Sequence, residues 1–370
     1  MDTLRLVATG EIRTTAARLS ASTEALAALG AALRLRASGL EAPSEVQACL
    51  DEVVDALGVG EAIGASTPDE LSAALAPIRA LLLQSVDLLT DPSRAPGWAY
   101  TDAELLEGFG QSSAAFARVV RDVLAPALPG LGDALSRSGA AFLDVGVGVG
   151  ALSIAMCRLY PELNAVGIDP WEVALDRARR NVAAAGLGER IALRPQRVEE
   201  LNDEAAFDLV FLAGPFLGSH AVDPACERSL AALRPGGWVL FAMFGGSDAL
   251  EVALARLRTA RSGGAVLDAS EAERRLDAAG FADVRTLAAE LGISLTAAMA
   301  QLRTVESNVG ATHGLTDGKY LEAIGSVCEG DSAHLATLDA EIRQACGRVR
   351  FSPRYAQYLS LILFAQWIHA

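Results

Sequence analysis

The chain has 370 residues, 51% of them hydrophobic, and a formal charge of −15, so it exceeds one ordinary domain and has ample material for a full core. That charge, with no lysine or arginine run, argues against a nucleic-acid backbone as partner, because phosphate binding needs clustered cations. Five cysteines, at 49, 157, 226, 328 and 346, form no CxxC pair; they read as thiols in a reducing cytoplasm rather than as a disulfide frame or zinc site.

From Leu4 to about Leu35 the residues Ile12, Ala16, Leu19, Thr23, Leu26, Gly30 and Leu33 recur at alternating steps of four and three. This is the stripe of a long helix that faces a partner, and the small Thr23 and Gly30 let that partner come close. Asp2 and Glu11 stand where a secretory leader needs an apolar core, which points to the cytoplasm. Two further helices are expected at 44–57 and 68–89, the second opened by Ser66-Thr67-Pro68, an N-cap followed by an early proline. The stretch from Thr90 to Gly97 breaks the pattern and serves as a linker. It separates an N-terminal helical unit, 1–95, from a core at 96–303.

In the core, short apolar strands near 140–144, 164–168, 190–194, 207–212 and 237–243 alternate with helical patterns. That alternation predicts a mainly parallel sheet in three layers. The first strand, Ala141 to Val145, runs into Gly146-Val147-Gly148-Val149-Gly150 and then a helix over Ala151 to Leu159. The second strand ends in Asp169, nineteen residues after Gly150. This is the layout of a nucleotide-type cofactor site. Glycine accepts left-handed dihedrals at little steric cost and lets a ligand approach the backbone. Gly146-x-Gly148-x-x-Ala151 also fits a dinucleotide fingerprint, but Asp144, just ahead of the glycines, suits a cationic group such as an ammonium and would repel a pyrophosphate. Downstream come a fourth strand, Phe207 to Leu212, and Leu233-Arg234-Pro235-Gly236-Gly237-Trp238, a helix end and turn feeding a fifth.

In these motifs and their order, from about Trp98 to Arg303, the chain closely resembles the class I S-adenosylmethionine-dependent methyltransferases. The resemblance implies a doubly wound, Rossmann-like sheet that ends in an antiparallel hairpin, here the strand around Phe281 to Thr286 and a return strand at 295–302. It also implies that Asp144, Gly146, Gly148 and Gly150 surround the methionine part of the cofactor and that Asp169 takes both ribose hydroxyls. Pro170 and Trp171 would border the adenine. Arg197 stands where the family often has an acid for the adenine amino group, with Glu199 or the Val198 backbone as substitutes. Tyr100, Gln111 and Ser112 fall in a segment that resembles a cofactor-covering element; the alternative is that Trp98 and Tyr100 only anchor the linker. The last region, 304–370, exceeds the usual core of that family and reads as a loop at 308–314 and helices at 321–328, 333–346 and 353–369.

Methyl transfer is an in-line displacement, so the protein's main task is to place a nucleophile. The fourth strand ends at Ala213-Gly214-Pro215-Phe216-Leu217-Gly218, where strand carboxyl ends open into a crevice, and Ala213 and Gly214 are expected beside the reacting centre. The Asn/Asp-Pro-Pro-Tyr/Phe pattern of nucleic-acid and nitrogen methylation is absent there, and Pro215-Phe216-Leu217 suits a small, apolar acceptor. For a hydroxyl acceptor the nearest base by sequence is His220, oriented by Asp223; the alternative is a helix-start histidine in solvent with Asp223 as N-cap. His313, His334 and His369 are scattered outside the core, which disfavours a metal. The richest apolar run, Tyr358 to Phe364, is shorter than the roughly twenty residues a bilayer takes and reads as a buried helix. These readings converge on a cytoplasmic enzyme of secondary metabolism that methylates a small molecule, its N-terminal helices covering the acceptor pocket or making a homodimer. Two alternatives are the same fold used for an intramolecular displacement or cyclisation, and a non-catalytic partner subunit joined through the C-terminal helices.

Overall fold

The computed structural model describes residues 2–98, 100–288 and 293–300. The loop expected at 308–314 and the helices expected at 321–328, 333–346 and 353–369 lie outside the described residues.

The N-terminal helices are α1 (Asp2–Ser38), α2 (Ser44–Ala56), α3 (Gly60–Ala65) and α4 (Pro68–Thr90). The start of α4 follows from a reciprocal cap: the Glu70 N–H donates to Thr67 Oγ1 at 3.3 Å, and the Thr67 N–H donates to Glu70 Oε2 at 2.7 Å. Such a cap satisfies two backbone N–H groups at the helix start. Gly30 fulfils its expected role, because a Cβ there would lie 3.2 Å from Ile78 Cγ2; α1 and α4 can approach this closely only without a side chain. Around that contact Ala32, Leu33, Val54, Ile63 and Leu71 form a small core. Ile12 and Leu19, by contrast, are 70% and 50% exposed, so among the described residues the stripe packs only along its C-terminal half. The six-residue α3 was not expected, being too short to show a helical period. By length and composition alone α4 is apolar enough to cross a membrane; here it lies between α1 and α5.

After the linker, α5 (Ala103–Val119) is capped by Asp102, whose Oδ1 accepts the Leu105 N–H at 2.8 Å. It passes through a π turn at 120–124 into the single turn α6 (Ala125–Ala127), and α7 (Leu131–Ser136) follows. The wider turn falls just before Pro126, which has no N–H to continue the ladder. The core then runs β1 (Ala141–Val145), α8 (Ala151–Leu159), β2 (Asn164–Ile168), α9 (Glu172–Ala184), β3 (Ile191–Arg194), β4 (Phe207–Ala213), α10 (Val222–Ala232), β5 (Leu233–Phe244), α11 (Ala249–Ser262), α12 (Ala269–Ala279), β6 (Ala282–Ala288) and β7 (Ile293–Met299). The sheet order is β3-β2-β1-β4-β5-β7-β6, with β7 antiparallel to both neighbours.

Two boundaries differ from the sequence reading for the same reason. The return strand begins at Ile293 and ends at Met299 because its register is set by β5, Phe244 opposite Ile293 and Trp238 opposite Met299. The fifth strand begins at Leu233, which pairs with Phe207 before the register slips to Leu209 opposite Trp238; the Pro235-Gly236-Gly237 turn is thus an irregularity within the strand. Helices cover both faces of the sheet. Leu131, Leu135, Phe142, Met156 and Trp238 belong to one core, Leu143, Val210, Cys226, Val239 and Leu276 to the other. Side chains of this size, fully buried, stabilise by roughly 1.5–3 kcal/mol each. The indole of Trp238 can be buried because its Nε1–H donates to the Pro129 carbonyl at 3.2 Å.

Candidate active site

The chain builds β1, β2 and β3 in one direction and then returns to place β4 and β5 on the other side of β1. Connections diverge at the carboxyl ends of β1 and β4, and a crevice results. A cavity of about 690 Å³ opens there, within the range of small-molecule sites. Gly146 and Gly148 turn the chain with φ of 80° and 55°. The turn is pinned to β2, since the N–H groups of Gly146 and Val147 donate to the Ile168 carbonyl at 2.9 and 3.1 Å. Gly167 makes this possible: a Cβ on it would stand 2.5 Å from Val147 Cγ2. Asp169 closes the arrangement. Its Oδ2 accepts the Gly148 N–H at 3.0 Å and its Oδ1 the Trp171 N–H at 2.9 Å. Burial pushes this carboxyl above its ordinary range, against the two backbone N–H groups that hold it down.

Of the residues expected at the site, Gly146, Gly148, Asp169, Pro170 and Trp171 border the cavity together. Arg197, Val198, Ala213 and His220 border it from the β3 and β4 side, with Glu199 beside Arg197. The others do not. Gly150, with φ of 80°, faces α9, where a Cβ would meet Ala178 Cβ at 3.4 Å. Gly214 is a packing slot, its missing Cβ leaving room for Phe241 Cε1 at 2.6 Å. Gln111 is exposed and Ser112 bonds back to the Gly108 carbonyl at 3.3 Å; α5 turns Phe109, Gly110 and Ser113 to the cavity instead. Tyr100 donates its hydroxyl to Asp87 Oδ2 at 2.7 Å, so it anchors the linker while Trp98 lines the cavity.

Asp144 also departs from its expected place. It is 2% exposed and accepts the Ser153 hydroxyl at 2.7 Å, beneath the glycine turn rather than on the cavity wall. Burial, assisted by the charge of Asp169, raises its pKa to about 7. Between the ordinary value of 3.8 and about 7 the unfolded chain has lost a proton that the folded chain keeps, so this carboxyl makes the fold less stable as pH rises through that window. Asp144→Asn is expected to remove that slope. Urea midpoints of both proteins from pH 5 to 8 should diverge toward alkaline pH, with the variant the more resistant; parallel curves would mean that Asp144 is ionised in the fold.

Several contributors escaped the sequence reading. A Cβ on Gly110 would fall 2.3 Å from Val149 Cγ2, and one on Gly108 would fall 3.2 Å from the Ala76 carbonyl. The two glycines lie on opposite faces of α5, so the helix is sandwiched between the glycine turn and α4. Their spacing of two within a helix was the available signal. Asn181 on α9 donates to the Val149 carbonyl at 3.0 Å and to both Glu107 oxygens at 3.2 and 3.3 Å, which ties α5 to the turn. Part of the cavity wall is aromatic, with Trp98 meeting Phe109 edge-on at 4.7 Å and Phe216 at 5.1 Å.

His220 borders the cavity but its side chain is 77% exposed, and its Nε2 lies 3.6 Å from Glu199 Oε1. It packs over Gly218, where a Cβ would stand 3.0 Å from the imidazole. Asp223 neither orients it nor caps α10: both its oxygens accept from Arg275 at 2.7 Å, and the N-cap is Ala221, with no side-chain bond. The acid beside His220 is Glu199. Among the described residues no group of three or more His, Cys, Asp or Glu could hold a metal ion.

Residues 142–237, which carry β1 through the start of β5, match the family model described as a methyltransferase domain. These residues carry a methyltransferase domain, and the sheet around them has the fold of the class I S-adenosylmethionine-dependent methyltransferases. Among curated relatives, the malonyl-[acyl-carrier protein] O-methyltransferase of Priestia megaterium is 26% identical over 105 residues, 28% of this chain and 37% of that protein. The chain thus spans well under half the length of the curated relatives it matches. Similar solved structures cover more: human N-acetylserotonin methyltransferase aligns over 78% of this chain and 98% of its own with a TM-score of 0.55 at 15% identity. The pyocyanin biosynthetic protein PhzM aligns over 80% and 99%, TM-score 0.53, at 17% identity. At such identities the likeness speaks for the fold.

The cavity fits S-adenosylmethionine, the cofactor that a methyltransferase domain implies, on its own geometry. A Cβ on Gly148 would meet nothing nearer than the Gly146 carbonyl oxygen at 3.9 Å, so the turn presents open space to a ligand. Each Asp169 oxygen accepts one backbone N–H and retains capacity for a hydroxyl. Gly146, Gly148 and Asp169 would hold the cofactor, with Pro170, Trp171 and Val198 beside its base.

Proposed function

We propose that this protein transfers the methyl group of S-adenosylmethionine to a small, largely apolar acceptor that carries a ring. The observation behind this reading is that two unlike sets of residues line one cavity: the glycine turn with Asp169, and the packed aromatic rings of Trp98, Phe109 and Phe216. Edge-on aromatic walls favour a flat, apolar ligand. When bound, the cofactor supplies an electrophilic methyl group. Asp169 fixes the cofactor's position, Ala213 leaves room beside it, and the aromatic wall orients the acceptor and excludes water. Positioning of this kind can supply most of the acceleration for a displacement.

Names among the structural neighbours support a small acceptor of secondary metabolism: N-acetylserotonin methyltransferase, a protein of pyocyanin biosynthesis and the mitomycin 7-O-methyltransferase MmcR. Incubation with S-adenosylmethionine and a panel of phenols and heteroaromatic alcohols, read by mass spectrometry for methylated product and S-adenosylhomocysteine, tests the proposal. Cofactor binding without any transferred methyl across the panel would favour a displacement or cyclisation on the same fold.

An exposed imidazole beyond hydrogen-bond reach of its acid is poorly placed for proton transfer. His220→Ala is therefore expected to lower turnover less than about tenfold, with cofactor affinity unchanged and no loss of a neutral-pH step in the rate profile. A loss of roughly a hundredfold or more in kcat would make His220 the general base.

A further inference from the structure

Residues 91–98, which connect the N-terminal helices to the core, are bound more tightly than a linker needs to be. Asp87, on the last turn of α4, accepts from the Tyr100 hydroxyl at 2.7 Å and from Arg261 Nη2 at 2.6 Å, and lies 3.3 Å from Arg94 Nη2. The same arginines hold the backbone: Arg261 Nη1 donates to the Asp91 carbonyl and Arg94 Nη1 to the Gly97 carbonyl, each at 3.0 Å. The Gly97 N–H returns a bond to the Arg261 carbonyl at 3.0 Å. Contact between linker and α11 is so close that a Cβ on Gly263 would stand 3.0 Å from Gly97 Cα. Arg94 also lies over the Tyr100 ring, 5.4 Å from its centre, and that ring packs edge-on against Trp98 at 5.0 Å.

These contacts hold the segment whose Pro96, Gly97 and Trp98 border the cavity, together with Ser262 and Gly263 at the facing end of α11. One carboxylate is the shared acceptor. Charge-assisted bonds of this kind are stronger than neutral ones, and the two guanidinium groups around Asp87 would repel each other without it. The hydrogen bonds to Tyr100 and Arg261 and the charge of Arg94 hold the Asp87 carboxyl below its usual range, despite some burial.

We propose that Asp87 is a positioning residue that fixes the wall formed by Pro96, Gly97 and Trp98, and that through it the N-terminal helices shape the acceptor's part of the site. Asp87 itself borders no part of the cavity. The proposal rests on reading that wall as the acceptor's, but its test does not require an acceptor.

Hydrogen exchange of the full-length protein, read on peptides covering 94–98 and 261–264, tests it together with the emission of Trp98, isolated by subtracting a Trp98→Phe protein. Asp87→Ala should speed exchange in both peptides at least about tenfold and shift Trp98 emission to the red, because the Gly97 N–H is freed and the indole reaches water. Affinity for S-adenosylhomocysteine should stay within about twofold, since the glycine turn is untouched. Asp87→Asn, which keeps an acceptor oxygen but not the charge, and Tyr100→Phe, which removes one partner of several, should produce the same changes at smaller size and serve if the alanine variant does not fold. Wild-type exchange and emission in all three variants would overturn the proposal. So would a parallel fall in cofactor affinity, which would assign Asp87 to general stability. Failure of the unmodified protein to bind S-adenosylhomocysteine would count against the methyltransferase reading and leave the exchange result to decide the role of Asp87.

Discussion

Gly148→Val is expected to abolish S-adenosylmethionine binding, a loss of roughly a hundredfold or more, equivalent to about 2.7 kcal/mol or more, while the protein stays folded. Gly148 has φ of 55°, and the space where its Cβ would go is empty up to the Gly146 carbonyl oxygen at 3.9 Å. The Cβ of a valine there clashes with nothing in the protein, and the turn that carries it borders the cavity. The left-handed backbone costs a branched residue about 1–2 kcal/mol, which a domain with ordinary stability of roughly 5–15 kcal/mol withstands. Gly150 supplies the control. Its φ is also positive, at 80°, but its Cβ would lie in ordinary contact with Ala178 at 3.4 Å and Val182 at 3.7 Å, away from the cavity, so Gly150→Ala should lower the melting temperature through its left-handed backbone with little effect on affinity. Calorimetric titration and circular dichroism separate the two cases. Retained affinity in Gly148→Val would show that the turn serves only to connect β1 to α8.

This contrast marks what the sequence could disclose. The strand, glycine turn, helix and acid from Ala141 to Asp169 were legible because each is a local pattern with a local cause. Which way each residue of that pattern faces was not. Asp144 and Asp169 both end strands as lone acids, yet one lies under Ser153 and the other borders the cavity, a difference set by how α8 seats on the sheet. Long-range pairs were invisible for a simpler reason. Asp223 belongs to Arg275 rather than to His220, and Asp87 to Arg261; no periodicity links such distant positions. The aromatic wall of the cavity was half legible, since Trp98 and Phe216 were noted but their meeting depends on where the linker crosses α11. The return strand shifted because a strand between two partners takes its register from them.

Asp169→Ala should weaken cofactor binding by roughly 2–3 kcal/mol, about 30- to 150-fold. Two effects add here. The substitution removes the carboxylate expected to accept the ribose hydroxyls, and it releases the N–H groups of Gly148 and Trp171 that the carboxylate now holds at 3.0 and 2.9 Å. Asp169→Asn tells them apart from simple loss of charge: its single oxygen can satisfy one of the two N–H groups, while its amide would point a donor at the other, so little affinity should return. Titration gives a second check. Burial raises the Asp169 pKa, and a protonated carboxyl is a poorer acceptor for hydroxyls, so wild-type affinity should decline toward acid as the variant's stays flat. Because the Gly148 N–H is itself a partner of Asp169, the two sites share an interaction. The double variant Gly148→Val, Asp169→Ala should therefore lose less than the sum of the single losses; strict additivity would mean that the carboxylate acts on the ligand alone and plays no part in shaping the turn.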